Sequence, residues 1–346
     1  MVARPSFFLL VLFALRAFSQ TSTPAASVAS QYSLSTSTTI PFPQATLGNS
    51  DAQSFITNNW GLSKGRIQNG AQNLVFVDDP FPNAPAPGST SSSTSGPVLQ
   101  VQYPAGSFQS NNEGGAQMYA IWNSSGSAFE SMLITYEVAF DAGFDWVKGG
   151  KLPGLRGGPD PNNCSGGNQA NGKNCFSSRV MWRTNGAGEV YAYVPRDNNI
   201  CNEDNVLCND EFGISLDRGS FAFSSGKWNR VTMLVRLNSP DQIANGQVIL
   251  YFNDVWALSH NDIVYRSSDV ITTGGLYFST FFGGSDPSWA PQALTHTYFR
   301  NFQLFAGTSP SNLQGSPVTS DAQGRMQTSF AGTIVTAFSA LLGLFI

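Results

Sequence analysis

The sequence predicts an all-β protein, an antiparallel β-sandwich of the jelly-roll kind, and three observations carry this. Short apolar runs that alternate with polar residues recur between clusters of Gly, Asn, Asp and Pro. Only 12% of residues are charged while 34 are Gly, which suits a secreted domain with many turns better than a helical enzyme. Beyond the N-terminal segment no long amphipathic helical pattern is present, although residues 51–60 fit a short helix. Two packed antiparallel sheets are the natural way to bury such strands. A length of 346 residues would allow two domains, but one large sandwich fits equally well, and there is no repeat at solenoid or propeller spacing.

In chain order, residues 1–19 read as a secretory signal. Arg4 gives the positive start, residues 7–15 the apolar run, and Ala17-Phe18-Ser19 a cleavage site before Gln20. That run is too short to span a bilayer. Residues 20–48 follow as a Ser/Thr-rich spacer, in which residues 21–39 are too poor in apolar residues to pack and read as a flexible stretch of the O-glycosylated type. The main domain is expected over residues 49–306. Its strand-like runs are 74–77, 98–103, 131–140, 228–237, 247–252, 275–282 and 296–305, with a hairpin over 176–195. The Ser/Thr stretch at 85–97 lies between two such runs and reads as a surface loop. Residues 307–329 form a linker and 330–346 a hydrophobic tail. Small residues at 320–322, a polar spacer and that tail have the layout of a signal for a glycosylphosphatidylinositol (GPI) anchor, with Ser320 as the attachment residue. The expected location is extracellular, at the cell surface.

Four cysteines, Cys164, Cys175, Cys201 and Cys208, lie in loops flanking the hairpin. In a secreted chain an even count implies disulfides, and local pairing, Cys164 with Cys175 and Cys201 with Cys208, is the simplest of the three connectivities. Their spacing does not suit zinc, and histidine is scarce. Asn123 and Asn163 stand in glycosylation sequons. The formal net charge of −4 argues against nucleic acid as a partner, but not against an acidic glycan, because a local basic cluster can dominate within a Debye length.

The hairpin holds the candidate chemistry. Its arms are Phe176-Ser177-Ser178-Arg179-Val180-Met181-Trp182-Arg183 and Glu189-Val190-Tyr191-Ala192-Tyr193-Val194-Pro195, joined through Asn185-Gly186. Strand parity puts Val180, Trp182, Val190 and Ala192 toward a core. Ser177, Arg179, Met181, Arg183, Glu189, Tyr191 and Tyr193 then share the opposite face. A turn symmetric about Gly186 would set Arg179 against Tyr193 and Met181 against Tyr191. A guanidinium beside two phenols suits an acidic sugar. Upstream, glycines flank Lys151, which is expected at a strand end near the hairpin.

Hydrolysis of a glycan usually needs two carboxyl groups, and this face offers only Glu189. Elimination instead needs a base for the C5 proton of a uronic acid, an acid for the leaving oxygen, and cations for the charge built on the carboxylate. Arg179 could grip that carboxylate and Lys151 could add charge. Neighbouring cations would lower a phenol's pKa, making Tyr191 or Tyr193 a base or an acid. An aromatic platform that only stacks sugars is the bland alternative.

The motifs Gly149-Gly150-Lys151-Leu152-Pro153-Gly154, Ser177-x-Arg179-x-Met181-Trp182-Arg183, Tyr191-x-Tyr193-Val194-Pro195 and residues 279–290 (STFFGGSDPSWA) occur in this order. Together they resemble polysaccharide lyase family 14 over roughly residues 49–306. The resemblance implies a β-jelly roll that eliminates across bonds of uronic acid polymers such as alginate and glucuronan. It implies catalytic roles for Lys151, Tyr191 and Tyr193 and substrate binding by Ser177 and Arg179, with Arg183 beside them. The two tyrosines' division of labour stays open. No cofactor or metal is expected, and the chain is expected to act as a monomer on an acidic polysaccharide. The alternative is a non-catalytic glycan-binding protein of the same fold. Asp286 and Trp289 are expected in a loop at the sheet rim, equally suited to a packed turn or to ligand contact.

Overall fold

The structure is a computed structural model that describes residues 21–89, 96–109, 114–122, 128–160 and 163–318. The proposed signal, Asn123, Ser320 and the hydrophobic tail lie outside the described residues. The elements run α1 (Ala25–Gln31), β1 (Thr36–Thr39), α2 (Asn49–Asn59), β2 (Leu74–Val77), β3 (Val98–Tyr103), β4 (Ala116–Ile121), β5 (Ser131–Phe140), β6 (Gly149–Gly157), β7 (Phe176–Arg183), β8 (Ala187–Tyr193) and β9 (Val206–Leu207). Then come β10 (Ile214–Ala222), β11 (Trp228–Arg236), β12 (Ile243–Ala244), β13 (Gly246–Phe252), β14 (Val255–Ile263), β15 (Thr273–Phe282), β16 (Thr295–Gly307) and β17 (Ser316–Pro317).

Two antiparallel sheets form the sandwich, as the alternating runs predict. The larger has the order β14-β13-β11-β5-β16-β3-β2, with β1 added to β16; the smaller has the order β4-β15-β6-β7-β8-β10-β9. Between them lies one core. Val231, Met233 and Val235 of β11 and Ile134, Tyr136 and Val138 of β5 meet Leu152, Val180, Trp182, Val190 and Phe278 of the smaller sheet. The two-residue spacing of these positions is the strand period at work. Trp182 is fully buried among the rings of Phe140, Phe144 and Phe282, at centroid distances of 5.9, 5.8 and 5.3 Å.

Several sequence expectations change. The stretch read as a flexible spacer is ordered: α1 seats Val28 and Ala29 against Leu133, Leu234, Ile249 and Phe305 on the outer face of the larger sheet, and β1 pairs with β16. Few apolar residues suffice there, because that face already offers an apolar patch. β4, β10 and β14 went unread, and so did β6, the strand beside the hairpin. β6 carries glycines and Pro153, which strand propensity disfavours. Its glycines serve close strand packing rather than ligand approach. A Cβ on Gly150 would lie 2.1 Å from the Trp182 ring, and one on Gly154 would lie 2.1 Å from the Ser178 carbonyl. Pro153 falls where the register with β7 shifts, at a bulge that tolerates its missing N–H. Lys151 therefore stands within the sheet, paired with Met181 and Phe281, and not at a free strand end.

The β7–β8 hairpin keeps its predicted faces but not its predicted register. Arg179 pairs with Tyr191, Ser177 with Tyr193 and Met181 with Glu189. The turn centres on Asn185, which takes φ 59°, with Gly186 at φ 77°. The offset is two residues on one arm, so every side chain stays on its face.

Candidate active site

On the side away from the core, the smaller sheet forms the floor of a cleft of about 600 Å³. Lys151 from β6, Arg179, Met181 and Arg183 from β7, and Tyr191 and Tyr193 from β8 line it. Gln117 of β4 and Phe281 of β15 extend the floor. Loops raise the walls. Ser165 and Gly166 come from the first disulfide loop, Leu207 and Cys208 from the second, and Trp289 from the rim after β15. Both disulfides form with the local pairing, Cys164–Cys175 and Cys201–Cys208.

Each cation has a defined seat. Lys151 Nζ lies 4.3 Å from the centre of the Tyr191 ring. Arg179 is buried between rings, 4.8 Å from Tyr277 and 5.9 Å from Tyr193, and its Nη1 donates to Ser279 Oγ at 3.0 Å. Such stacking fixes a guanidinium plane while leaving its edge for hydrogen bonds. Arg183 pairs with Glu189. Arg218 Nε reaches the same carboxylate at 2.8 Å, and Ser215 Oγ donates to it at 2.7 Å. Glu189, the one carboxylate that parity set on this face, is fully buried and tied off. Among the described residues that line the cleft there is no second carboxyl to complete a hydrolytic pair.

The electrostatics depart from expectation in an informative way. Burial, with help from Arg179 and Arg183, holds the Lys151 amine well below its usual range; Glu189 opposes this weakly. Burial also pushes the Tyr191 phenol above its usual value, with Tyr193 adding to it. Arg179, Arg183 and a hydrogen bond from the Gly213 backbone pull the other way and lose. The phenol is thus kept protonated, not ionised as cations alone would have it. The amine is the group poised to be neutral.

Two predicted residues sit differently from their expected roles. Ser177 is fully buried, and its hydroxyl donates to the Cys164 carbonyl at 2.6 Å, pinning the first disulfide loop to β7 rather than facing the cleft. The Tyr193 hydroxyl accepts from the Gly167 N–H at 3.2 Å, which ties it to that same loop. Ser177→Ala should cost about 1–2 kcal/mol, since it leaves a buried carbonyl unpaired. We expect a lowered Tm, with KM raised more than kcat is lowered, measured on the purified variant. Asn163, at the root of this loop, donates its side-chain amide to Asp160, while its carbonyl accepts from Arg156. In the rim loop, Asp286 accepts from the Ser288 N–H at 2.8 Å and so caps a short turn that is exposed rather than packed, whereas Trp289 faces the cleft. Sequence reading placed Ser279 and Phe281 only within a motif, without a site role, and missed Gln117 and Arg218. Ser279 stands with Thr280 as a polar pair in a mostly apolar strand, while Gln117 and Arg218 carry no local signal.

The fold and its cationic cleft are those of a polysaccharide-lyase-type β-jelly roll. The chain belongs to the polysaccharide lyase 14 family, whose model matches residues 91–302. It is similar to the PL-14 alginate lyase from Aplysia kurodai, with 28% identity and a TM-score of 0.63 over 77% of this chain and 100% of that one. It shares its fold with alginate lyase vAL-1 from Chlorella virus, at 22% identity and a TM-score of 0.52 over 71% of this chain and 98% of that one. It shares it also with a variant of alginate lyase Aly36B in complex with alginate trisaccharide, at 18% identity and a TM-score of 0.56 over 78% and 98%. No curated protein matches the chain.

Proposed function

We propose that the protein is a polysaccharide lyase that cleaves a uronic acid-containing polymer of the alginate or glucuronan type by β-elimination. One observation carries this reading. The cleft is lined by Lys151, Arg179, Arg183 and Arg218, and among the described residues no Asp or Glu lines it. Cations without carboxylates suit a polyanion and suit elimination, while they leave a carboxyl-pair hydrolase without its catalysts. The likeness to the Aplysia kurodai alginate lyase supports alginate as the first substrate to test.

In this reading Arg179 binds the uronate carboxylate through its free edge, and Arg183 adds charge beside it. The neutral Lys151 amine takes the C5 proton. The C–H electron pair becomes the C4–C5 double bond, the C4–O4 bond breaks, and the departing oxygen takes a proton from the Tyr191 phenol. The products are an unsaturated uronate at a new non-reducing end and a new reducing end. Proton return from the Lys151 ammonium to the Tyr191 phenolate resets the site. Tyr193, tied to the loop and stacked on Arg179, positions that arginine. For location, the sequence layout at both termini supports secretion and a lipid anchor at Ser320.

The pH profile follows from the two shifts. The base works deprotonated, so kcat/KM should rise with pH along a limb well below the ordinary lysine value of 10.5. The acid works protonated, so the falling limb should lie above the ordinary phenol value of 10.0. Initial rates across a pH series check both limbs.

The deciding experiment follows ultraviolet absorbance of the unsaturated product with alginate, polyglucuronate and other acidic glycans. A rise on one substrate, lost in Tyr191→Phe, supports elimination and names the polymer. Binding to a substrate with no absorbance rise on any would turn the reading to a glycan-binding protein.

A further inference from the structure

The smaller sheet meets the larger along one edge where β10 approaches β14, and there the fold gathers ligating side chains that are distant in sequence. Glu203 comes from the Cys201–Cys208 loop, and His260 and Asp262 from β14. Their donor atoms all lie within 4.8 Å of one another. The sequence showed no clustered ligand set because Glu203 and His260 stand 57 positions apart.

The geometry at His260 is specific. The ring is 9% exposed. Its Nε2 faces Asp217 Oδ2 at 2.6 Å, a close contact that falls short of hydrogen-bond alignment. Its Nδ1 faces Glu203 Oε2 at 3.8 Å, too far for a hydrogen bond. Two donors each bound at about 2.1 Å to one tetrahedral ion stand roughly 3.4 Å apart, close to this spacing. A carboxylate behind the far nitrogen is the usual way a metal-bound imidazole is oriented, with its other nitrogen left free to ligate. Among the described residues, neither Glu203, Asp217 nor Asp262 forms an ion pair with a lysine or arginine.

We infer that Glu203, His260 and Asp262 bind a divalent cation of the zinc type, with Asp217 orienting the imidazole from behind. The mixed nitrogen and oxygen donors favour zinc over calcium, which takes oxygen ligands. Water would complete the coordination, since Asp262 is exposed. The site lies apart from the cleft-lining residues, so its role is structural. It joins the Cys201–Cys208 loop, whose Leu207 and Cys208 line the cleft, to the larger sheet.

Untagged protein, treated with chelator and desalted, is titrated with zinc chloride by calorimetry, with calcium chloride in parallel. We expect one zinc ion per chain, weaker calcium binding, and a rise in Tm with zinc. Glu203→Gln and His260→Gln should abolish uptake, and Asp217→Asn should weaken it about 10–100-fold. Glu203 sits on a surface loop, so its variant keeps the fold; circular dichroism verifies this for both. Cobalt in place of zinc should give visible absorption bands that disappear in His260→Gln. Absence of saturable zinc uptake, uptake unchanged in folded Glu203→Gln, or calcium bound more tightly than zinc would overturn the assignment. None of these readouts depends on catalysis, so the outcome is independent of the lyase reading.

Discussion

Lys151→Ala should lower kcat by about 10²–10⁴-fold, the usual contribution of a positioned general base, while the protein stays folded and still binds its polymer. The amine is half-buried beside two guanidiniums, and its charged form is disfavoured there. Because that amine is held neutral, its removal breaks no ion pair and loses only its packing over the Tyr191 ring. Thermal stability should therefore change little, which separates lost chemistry from lost structure. Affinity should survive because Arg179, Arg183 and Arg218 remain in the cleft. Lys151→Arg should fare no better, because a guanidinium does not give up its proton in this range. Single-turnover rates with circular dichroism melts decide the matter. A variant that keeps a tenth or more of wild-type kcat would remove Lys151 from the role of base.

Glu189→Gln should act in two ways at once. Its carboxylate is fully buried and holds Arg183, whose side chain is only 14% exposed. Breaking a buried pair by removing one charge costs about 3 kcal/mol or more. Arg218 is 41% exposed, so its share is small. The second effect is electrostatic. Glu189 is the group that holds the Lys151 pKa up, so its loss lowers that pKa further. The neutral amine then persists to lower pH, and the rising limb of kcat/KM should move to the acid side. If Glu189 were instead a hydrolytic acid, the variant would lose activity outright at every pH. Thermal melts and a pH series on one preparation read both effects.

Much of this was legible in the chain. Period-two alternation marked the core faces of β5 and β11, and parity alone put Arg179, Tyr191 and Tyr193 on one side of the smaller sheet. The hairpin register was not legible, because Asn185 and Gly186 both take positive φ and either could centre the turn. β6 was hidden by its composition: glycines and a proline look like a loop until Trp182 is seen filling the space above Gly150. The role of Ser177 needed the disulfide loop folded over it. The sign of the Tyr191 shift needed the depth of its burial, which outweighs cations that the sequence could count. The Glu203–His260–Asp262 cluster joins residues from two elements that meet only through the packing of the two sheets, and no local pattern announces it.

The charge map has a consequence for encounter. The chain as a whole is acidic, at −4, yet its cleft is lined by three guanidiniums and the Lys151 amine and, among the described residues, by no carboxylate. A long polyanion drifting up to this molecule is repelled by most of the surface and drawn to one trough. Beyond roughly 8–10 Å that contrast fades at physiological ionic strength, so it sorts the last approach and not the distant one. Adding salt would blur the contrast from both sides, weakening capture in the trough and softening rejection elsewhere. For the polyanion of the proposed reaction, an acidic exterior around a basic trough would thus bias where the chain lands toward the cleft.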